Sequence, residues 1–252
     1  MPVAFMNLLT GPDRTVVGNR RLGQLLALVA GAVNAGGFLA VGRYTSHMTG
    51  LVSGVADDLA LGRLALAGAG VLSICCFVGG AATTALLANW GRRHRLNSLF
   101  ALPLLLEALL LLLFGVMGAH VHLAIDVVVP ATVLLLCYLM GLQNAVVTKV
   151  SRAQIRTTHM TGILTDLGIE LGRLLYWNKD ARMKAEFSAK ADRERLGIHA
   201  SLLLAFCVGA LTGAMAFQHF GYLSTVPLAL VLALVASPPL LSDLQALRQL
   251  RR

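Results

Sequence analysis

Two copies of a short polar motif hold most of the side chains in this sequence that could bind a polar solute or a proton. The copies read Ser46-His47-Met48-Thr49-Gly50 and Thr158-His159-Met160-Thr161-Gly162. Hydroxyl groups donate and accept hydrogen bonds, and an imidazole takes up a proton near neutral pH. An asparagine precedes each copy. We therefore expect one set to line a solute pathway: Asn34, Ser46, His47, Thr49, Asn144, Thr158, His159 and Thr161. The alternative is that these groups satisfy one another and join helices.

Carboxylates follow both copies of the motif. The acid lies eight residues after the motif glycine in each copy, Asp58 after Gly50 and Glu170 after Gly162, with Asp57 and Asp166 nearby. A carboxylate near the C-terminus of a helix opposes the helix dipole, so a local stabilising role is not expected. Two interpretations stay open for Asp57, Asp58, Asp166 and Glu170. These carboxylates either couple transport to protons or cations, or are solvated charges in a vestibule.

Glu107 lies alone in the middle of an apolar run, within Leu-Leu-Leu-Glu-Ala-Leu-Leu. A carboxylate at the centre of a membrane costs about 3 kcal/mol on insertion scales, so such residues face a partner or a cavity. We expect Glu107 either to take part in coupling or to be protonated and bonded to a neighbouring helix.

The sequence predicts no metal site and no cofactor. His120 and His122 have only Asp126 beside them, which is a weak set of ligands. A phosphate-binding Gly-Lys-Ser/Thr loop is not found, so the chain alone is not expected to use ATP. The candidate groups form a symmetric pair rather than a graded set of acid, base and nucleophile, which argues against an intramembrane enzyme.

The composition explains what must position these residues. The chain has 252 residues, 57% hydrophobic and only 13% charged, whereas soluble domains carry about 25% charged residues. Six apolar runs approach the 20 or so residues that span a bilayer. They cover 22–42, 64–89, 98–118, 127–149, 199–220 and 222–240, while 45–62 and 157–176 are shorter and more polar. We predict an all-α membrane protein with six transmembrane helices and two short re-entrant helices.

Basic residues set the orientation. With the N-terminus in the cytoplasm and six crossings, all 21 Lys and Arg except Arg43 and Arg63 fall on the cytoplasmic side. Crossing by the two short segments as well would break the positive-inside rule twice. The net charge of +9 therefore reflects topology, and nucleic acid is not an expected partner because no basic patch with interleaved aromatics is present.

The two halves of the sequence form a repeat. Besides the motif, Phe77-Val78-Gly79-Gly80 matches Cys207-Val208-Gly209-Ala210, and Leu102-Pro103-Leu104 matches Val226-Pro227-Leu228. Three crossings per half make the second copy inverted, an arrangement typical of secondary transporters. The predicted division is a cytoplasmic segment 1–21, a first repeat 22–118, a second repeat 127–242 containing a basic cytoplasmic loop 177–197, and a basic tail 243–252. The loop is predicted to be an interfacial amphipathic helix.

Inversion predicts that the two short helices begin near the middle of the membrane. About five extended residues from Arg43 reach roughly half the bilayer depth, and a helix from Met48 could then return to the outer surface. Thr49 could cap that helix and Gly50 would allow close approach. The segment 157–176 would do the same from the cytoplasmic side, so that two helix N-termini, each with unpaired N–H groups, meet.

The asparagine and Thr-Gly segments of both halves resemble those of the YoaK-type bacterial membrane proteins. The resemblance covers about residues 20–245 and implies a small bacterial inner-membrane protein of unknown function. Many members have Gln-Thr-Gly-Asn where this chain has Met48-Thr49-Gly50-Leu51, after His47. A role that depends on the family's glutamine or asparagine therefore does not carry over.

Together these features predict a secondary transporter or channel for a small polar solute, anions included, in the bacterial inner membrane with both termini cytoplasmic. The alternatives are a non-transporting membrane partner or sensor and, with less support, an intramembrane enzyme. The expected partners are the lipid bilayer and the solute. The 26.7 kDa chain is compatible with a monomer or a homodimer.

Overall fold

A computed structural model describes residues 16–42, 44–120, 125–150, 158–176 and 190–250. Within these residues the chain is helical, without strands, which confirms the all-α prediction. The described helices are α1 Val16–Val41, α2 Met48–Ala60, α3 Leu64–Arg93, α4 Ala101–Ala119, α5 Ile125–Val150, α6 Met160–Leu175, α7 Arg193–Phe220 and α8 Thr225–Leu250. A 3-10 turn, Gly221–Ser224, joins α7 to α8.

Five described segments are long and apolar enough to span a membrane, so the chain is a multi-pass membrane protein. They are Val17–Val41, Leu64–Arg93, Ala101–Ala119, Ile125–Val150 and Arg193–Ala246. The last is 54 residues long and contains α7, the 3-10 turn and most of α8. By contrast, α2 and α6 have 13 and 16 residues, fewer than the 20 or so that a bilayer requires.

Several helices continue beyond the apolar runs. Helix α1 begins at Val16, inside the predicted segment 1–21, and α8 includes most of the predicted tail 243–252. Helix α7 begins at Arg193, within the predicted loop 177–197, because the Asp192 carboxylate caps it by accepting from the backbone N–H groups of Glu194 and Arg195. Residues 1–15, Arg43 and 177–189, which is most of that loop and of its predicted interfacial helix, lie outside the described residues.

Long helices of one half pack against long helices of the other. Helix α1 packs on α7, α3 on α5, and α4 on α8, while the short helices α2 and α6 lie on α3 and α7. The buried core lies mainly among α1, α4 and α5, where Leu26, Leu111 and Leu139 are fully buried. The main interfaces of the bundle thus join the two halves.

Four glycines mark the closest approaches between these helices. A Cβ added at any of them would overlap a backbone carbonyl oxygen of the facing helix: Gly31 meets Phe206, Gly141 meets Phe77, Gly80 meets Tyr138 and Gly209 meets Leu28. Only a residue without a side chain allows such approach. The α1–α7 and α3–α5 interfaces are therefore built in the same way.

The contacts correct the alignment of the two halves. Gly31 and Gly141 each precede the asparagine of their half, Asn34 or Asn144, by three residues, as the motif alignment predicts. In the next long helix, however, Gly80 takes the same place as Gly209, whereas the sequence match paired it with Ala210. The sequence alignment is therefore off by one residue here, because it matched the dipeptide Val78-Gly79 with Val208-Gly209.

Candidate functional site

The two short helices begin in the same way, at the motif histidines. His47 is the N-cap of α2 with φ −87° and ψ 70°, and His159 is the N-cap of α6 with φ −83° and ψ 55°. The carbonyl oxygen of each histidine accepts the first helical hydrogen bond, from Leu51 and Ile163 respectively, both at 3.1 Å. Thr49 was predicted to cap α2, and this was wrong because it lies in the first turn, past the N-cap. In neither helix does the side chain of the N-cap histidine bond to the first N–H groups.

The spacing of histidine and glycine in the motif has a steric reason. Residues three apart lie on one face of a helical turn, and each imidazole lies over the glycine three residues later. A Cβ at Gly50 would overlap the His47 ring, and one at Gly162 would overlap the His159 ring. Glycine therefore allows each imidazole to fold over the first turn of its own helix, beside the uncapped N–H groups.

The hydroxyl residue before each histidine is bonded to the asparagine of the preceding long helix. Ser46 donates to the side-chain oxygen of Asn34 at 2.8 Å, and Thr158 donates to that of Asn144 at 2.7 Å. All four side chains are half-buried. The structure thus joins four of the predicted pathway residues in two pairs, and the bonds tie the start of each short helix to α1 or α5.

The two N-termini border one cavity of about 310 Å³. Its lining comes from both halves and consists of Asn34, Tyr44, Ser46, His47, Thr158, Met160, Thr161 and Phe206. Five of the eight predicted pathway residues are in this set, and the remaining three, Thr49, Asn144 and His159, are not. Sequence reasoning missed Tyr44, Met160 and Phe206, because only the packing of the folded chain brings them to this cavity.

A second cavity, of about 360 Å³, adjoins the first and shares Tyr44 and His47 with it. It follows α2 past Gly50 and Gly54 to Asp58 near the end of that helix. The Tyr44 ring stacks on Phe38 with ring centroids 4.5 Å apart. The shared residues Tyr44 and His47 therefore lie between the cavity at the starts of α2 and α6 and the one that leads towards the C-terminal end of α2.

Each short helix carries in its C-terminal half a carboxylate that is paired with an arginine. Asp58 lies 2.8 Å from Arg63, and Glu170 lies 2.8 Å from Arg173. Glu170 is buried and also accepts from the backbone N–H of Asp192 at 2.8 Å. The arginines offset the unfavourable position of a carboxylate at a helix C-terminus.

The other two carboxylates of the short helices are more open. Asp57 is exposed. Asp166 is also exposed, and its Oδ2 lies 3.8 Å from Nε2 of the buried His199 on α7. A coupling role for any of these four carboxylates stays a prediction.

Glu107 is fully buried in α4 and accepts a hydrogen bond of 2.7 Å from Nε2 of Gln143 on α5. The bond to a neighbouring helix that one of the two expectations requires is therefore present, while a role in coupling stays a prediction. Neither residue borders the two cavities. Elsewhere in the described residues no group of three His, Cys, Asp or Glu side chains could hold a metal, and His122 lies outside the described part.

The sequence of the chain is similar to those of transmembrane proteins of unknown function. A family model described as "Protein of unknown function (DUF1275)" matches residues 22–237. The UPF0700 transmembrane protein YoaK of Bacillus subtilis (strain 168) is 26% identical over 223 residues, which cover 86% of this chain and 92% of that protein. No solved structure matches the chain.

Proposed function

We propose a transport function for this chain, which belongs to the DUF1275 family of proteins of unknown function. The observation that carries the proposal is the cavity bordered by the starts of both α2 and α6. In it a small polar solute, anions included, binds and passes from one side of the bacterial inner membrane to the other. The proposal assigns no catalytic residue.

The proposed architecture has six crossings. The 54-residue segment Arg193–Ala246 would be about 80 Å long as one helix, more than twice the hydrocarbon thickness of about 30 Å. Gly221, with φ 57°, interrupts it at the 3-10 turn. Positive φ favours glycine and ends a helix. These features support two crossings by α7 and α8, with both termini in the cytoplasm.

The proposed relation between the halves is an inverted repeat. Equivalent glycines contact equivalent carbonyl groups at the α1–α7 and α3–α5 interfaces, as expected for a two-fold axis in the membrane plane. The same axis relates α2 on α3 to α6 on α7. It would bring the starts of α2 and α6 to the middle of the bilayer from opposite sides.

The chemistry of the cavity suits a group with negative or partial negative charge. The first N–H groups of a helix lack intrahelical partners and carry the positive end of its dipole. The His47 and His159 side chains do not cap these groups, so apart from the N–H of Met48, which donates to the carbonyl group of Ser46, they are available to a solute. Irregular backbone at that depth is tolerated where it faces a cavity or protein.

Cysteine accessibility tests the proposal directly. The four native cysteines, Cys75, Cys76, Cys137 and Cys207, are free and would first be replaced by serine or alanine. Thr161→Cys, which borders the cavity, is then treated with a membrane-impermeant maleimide from each side of sealed vesicles. Labelling that alternates between sides under different conditions indicates a carrier, and simultaneous labelling indicates a channel. Failure to label from either side contradicts transport and favours a sealed, non-transporting partner protein, in which Ser46–Asn34 and Thr158–Asn144 bonds only join helices.

Ligand chemistry is tested on the same variant. Chloride, nitrate and inorganic phosphate are used as probes, and we expect at least one to slow the labelling of Thr161→Cys in a concentration-dependent way. Glucose serves as a neutral control. His47→Ala combined with His159→Ala should weaken this protection. Unchanged protection in the double variant would exclude the histidines from the site.

A further inference from the structure

The three buried carboxyl groups of the described residues have different partners. Glu170 has Arg173 and a backbone N–H, and Asp243 accepts from the backbone N–H groups of Asn97 and Ser98, both at 2.9 Å. Glu107 has neither a cation nor a backbone donor, because its described hydrogen bond comes from the neutral amide of Gln143. A buried carboxylate anion without a cation is strongly disfavoured.

The Glu107–Gln143 contact has one hydrogen bond and two buried oxygen atoms that lack a donor. Gln143 Nε2 donates to Glu107 Oε1, while Glu107 Oε2 and Gln143 Oε1 are buried and have no hydrogen-bond partner among the described residues. Both are acceptors if Glu107 is ionised. One proton on Oε2 converts it to a donor and gives Gln143 Oε1 a partner.

We propose that Glu107 is a proton-binding site. Its carboxyl group keeps a proton on Oε2 at neutral pH and donates it to Oε1 of Gln143, so that acid and amide are joined by two hydrogen bonds. The pair links α4 to α5 across the boundary between the halves, next to Asn144. This site does not depend on the transport function proposed above.

In the other half of the chain, the positions equivalent to Glu107 and Gln143 are both apolar. Val33 precedes Asn34 as Gln143 precedes Asn144, and Val231 follows Pro227 by the same four residues as Glu107 follows Pro103. Where one half has an acid and an amide, the equivalent positions of the other half have two valines. Neither polar residue is present without the other, as expected if each satisfies the other.

Infrared difference spectroscopy of the full chain in detergent tests the proposal. Subtracting the spectrum of Glu107→Gln from that of the wild type at neutral pH should reveal the C=O band of a protonated carboxylic acid, lost in the variant. Glu194→Gln, at an exposed position of α7, is the matched control and should remove only carboxylate bands. Loss of carboxylate bands in Glu107→Gln would mean that Glu107 is ionised and would overturn the proposal.

A second variant tests the partner and does not rely on the folding of Glu107→Gln. In Gln143→Leu the acid C=O loses its donor, so its band should shift to higher frequency and remain present. An unshifted band would show that the two side chains are not joined. Glu107→Val with Gln143→Val, which copies the other half, should fold, lack the band and be more stable than either single valine variant.

Discussion

The Thr158 hydroxyl group donates a 2.7 Å hydrogen bond to the side-chain oxygen of Asn144, 14 residues earlier in the chain. The Asn144 amide nitrogen donates in turn to the carbonyl group of Met140 at 2.8 Å. That second bond orients the amide, so its oxygen is turned towards Thr158. Ser46 and Asn34 form the equivalent link in the first half at 2.8 Å. The start of each short helix is thereby tied to the long helix before it.

A double-mutant cycle should detect this link. Thr158→Val keeps the side-chain shape and removes the donor, and Asn144→Leu removes the acceptor. We expect each single variant to lower thermal stability in detergent, and the double variant to lose less than the sum, with a coupling energy of about 0.6 kcal/mol, typical of hydrogen bonds between membrane helices. Strictly additive losses would show that the two side chains act independently.

Gly162 should be required for the position of the His159 ring. A Cβ at residue 162 would overlap the imidazole, whereas one at Gly168, on the same helix, meets no atom within 4 Å. We expect Gly162→Ala to displace the ring and to change the maleimide labelling rate of Thr161→Cys several-fold. Gly168→Ala should leave this rate unchanged and stabilise the helix by up to about 1 kcal/mol. Equal labelling rates in the two variants would contradict the steric role of Gly162.

The elements that occur in both halves could be predicted from the sequence. Contacts between distant residues could not. The repeated motif identified Ser46, Thr158 and both asparagines because a hydroxyl and an amide in an apolar environment require partners. It did not identify Gln143 as the partner of Glu107, since the two are 36 residues apart and only helix packing brings them together. Tyr44, a wall of both cavities, gave no signal for the same reason.

Glycines at the interfaces between halves should be more sensitive than exposed ones. Gly141→Ala places a Cβ against the Phe77 carbonyl oxygen, and Gly31→Ala places one against that of Phe206. Overpacking of this kind costs about 1–3 kcal/mol, so both variants should unfold at lower temperature in detergent, by similar amounts. Gly68→Ala, with open space around it on α3, should be neutral or stabilising. A stable Gly141→Ala protein would mean that α3 and α5 do not approach this closely.

The two carboxylate–arginine pairs should differ in strength because they differ in burial. The Glu170 side chain is 3% exposed, whereas that of Asp58 is 20% exposed and its partner Arg63 is 50% exposed. Glu170→Gln leaves Arg173 without its anion and weakens the contact to Asp192, so we expect a loss of about 1–3 kcal/mol in unfolding free energy. Asp58→Asn should cost less than about 1 kcal/mol, as is usual for exposed pairs. Chemical denaturation in detergent measures both, and the reverse order would contradict the described burial.

The number of crossings in the last apolar segment decides which side of the membrane holds the C-terminus. If Arg193–Ala246 crosses twice, the chain crosses six times and both termini face the cytoplasm, as the basic residues around the start of α1 and at the end of the chain also favour. A reporter active only in the cytoplasm should therefore be active when fused before Met1 or after Arg252, and silent when inserted after Tyr222. A second reporter, active only outside the cytoplasm, is inserted at the same position 222. Its activity shows that the fusion protein is made and that the silence of the first reporter reflects its location. A silent fusion at Arg252, with an active one at Met1, would mean an odd number of crossings and would contradict three crossings in the second half of the chain.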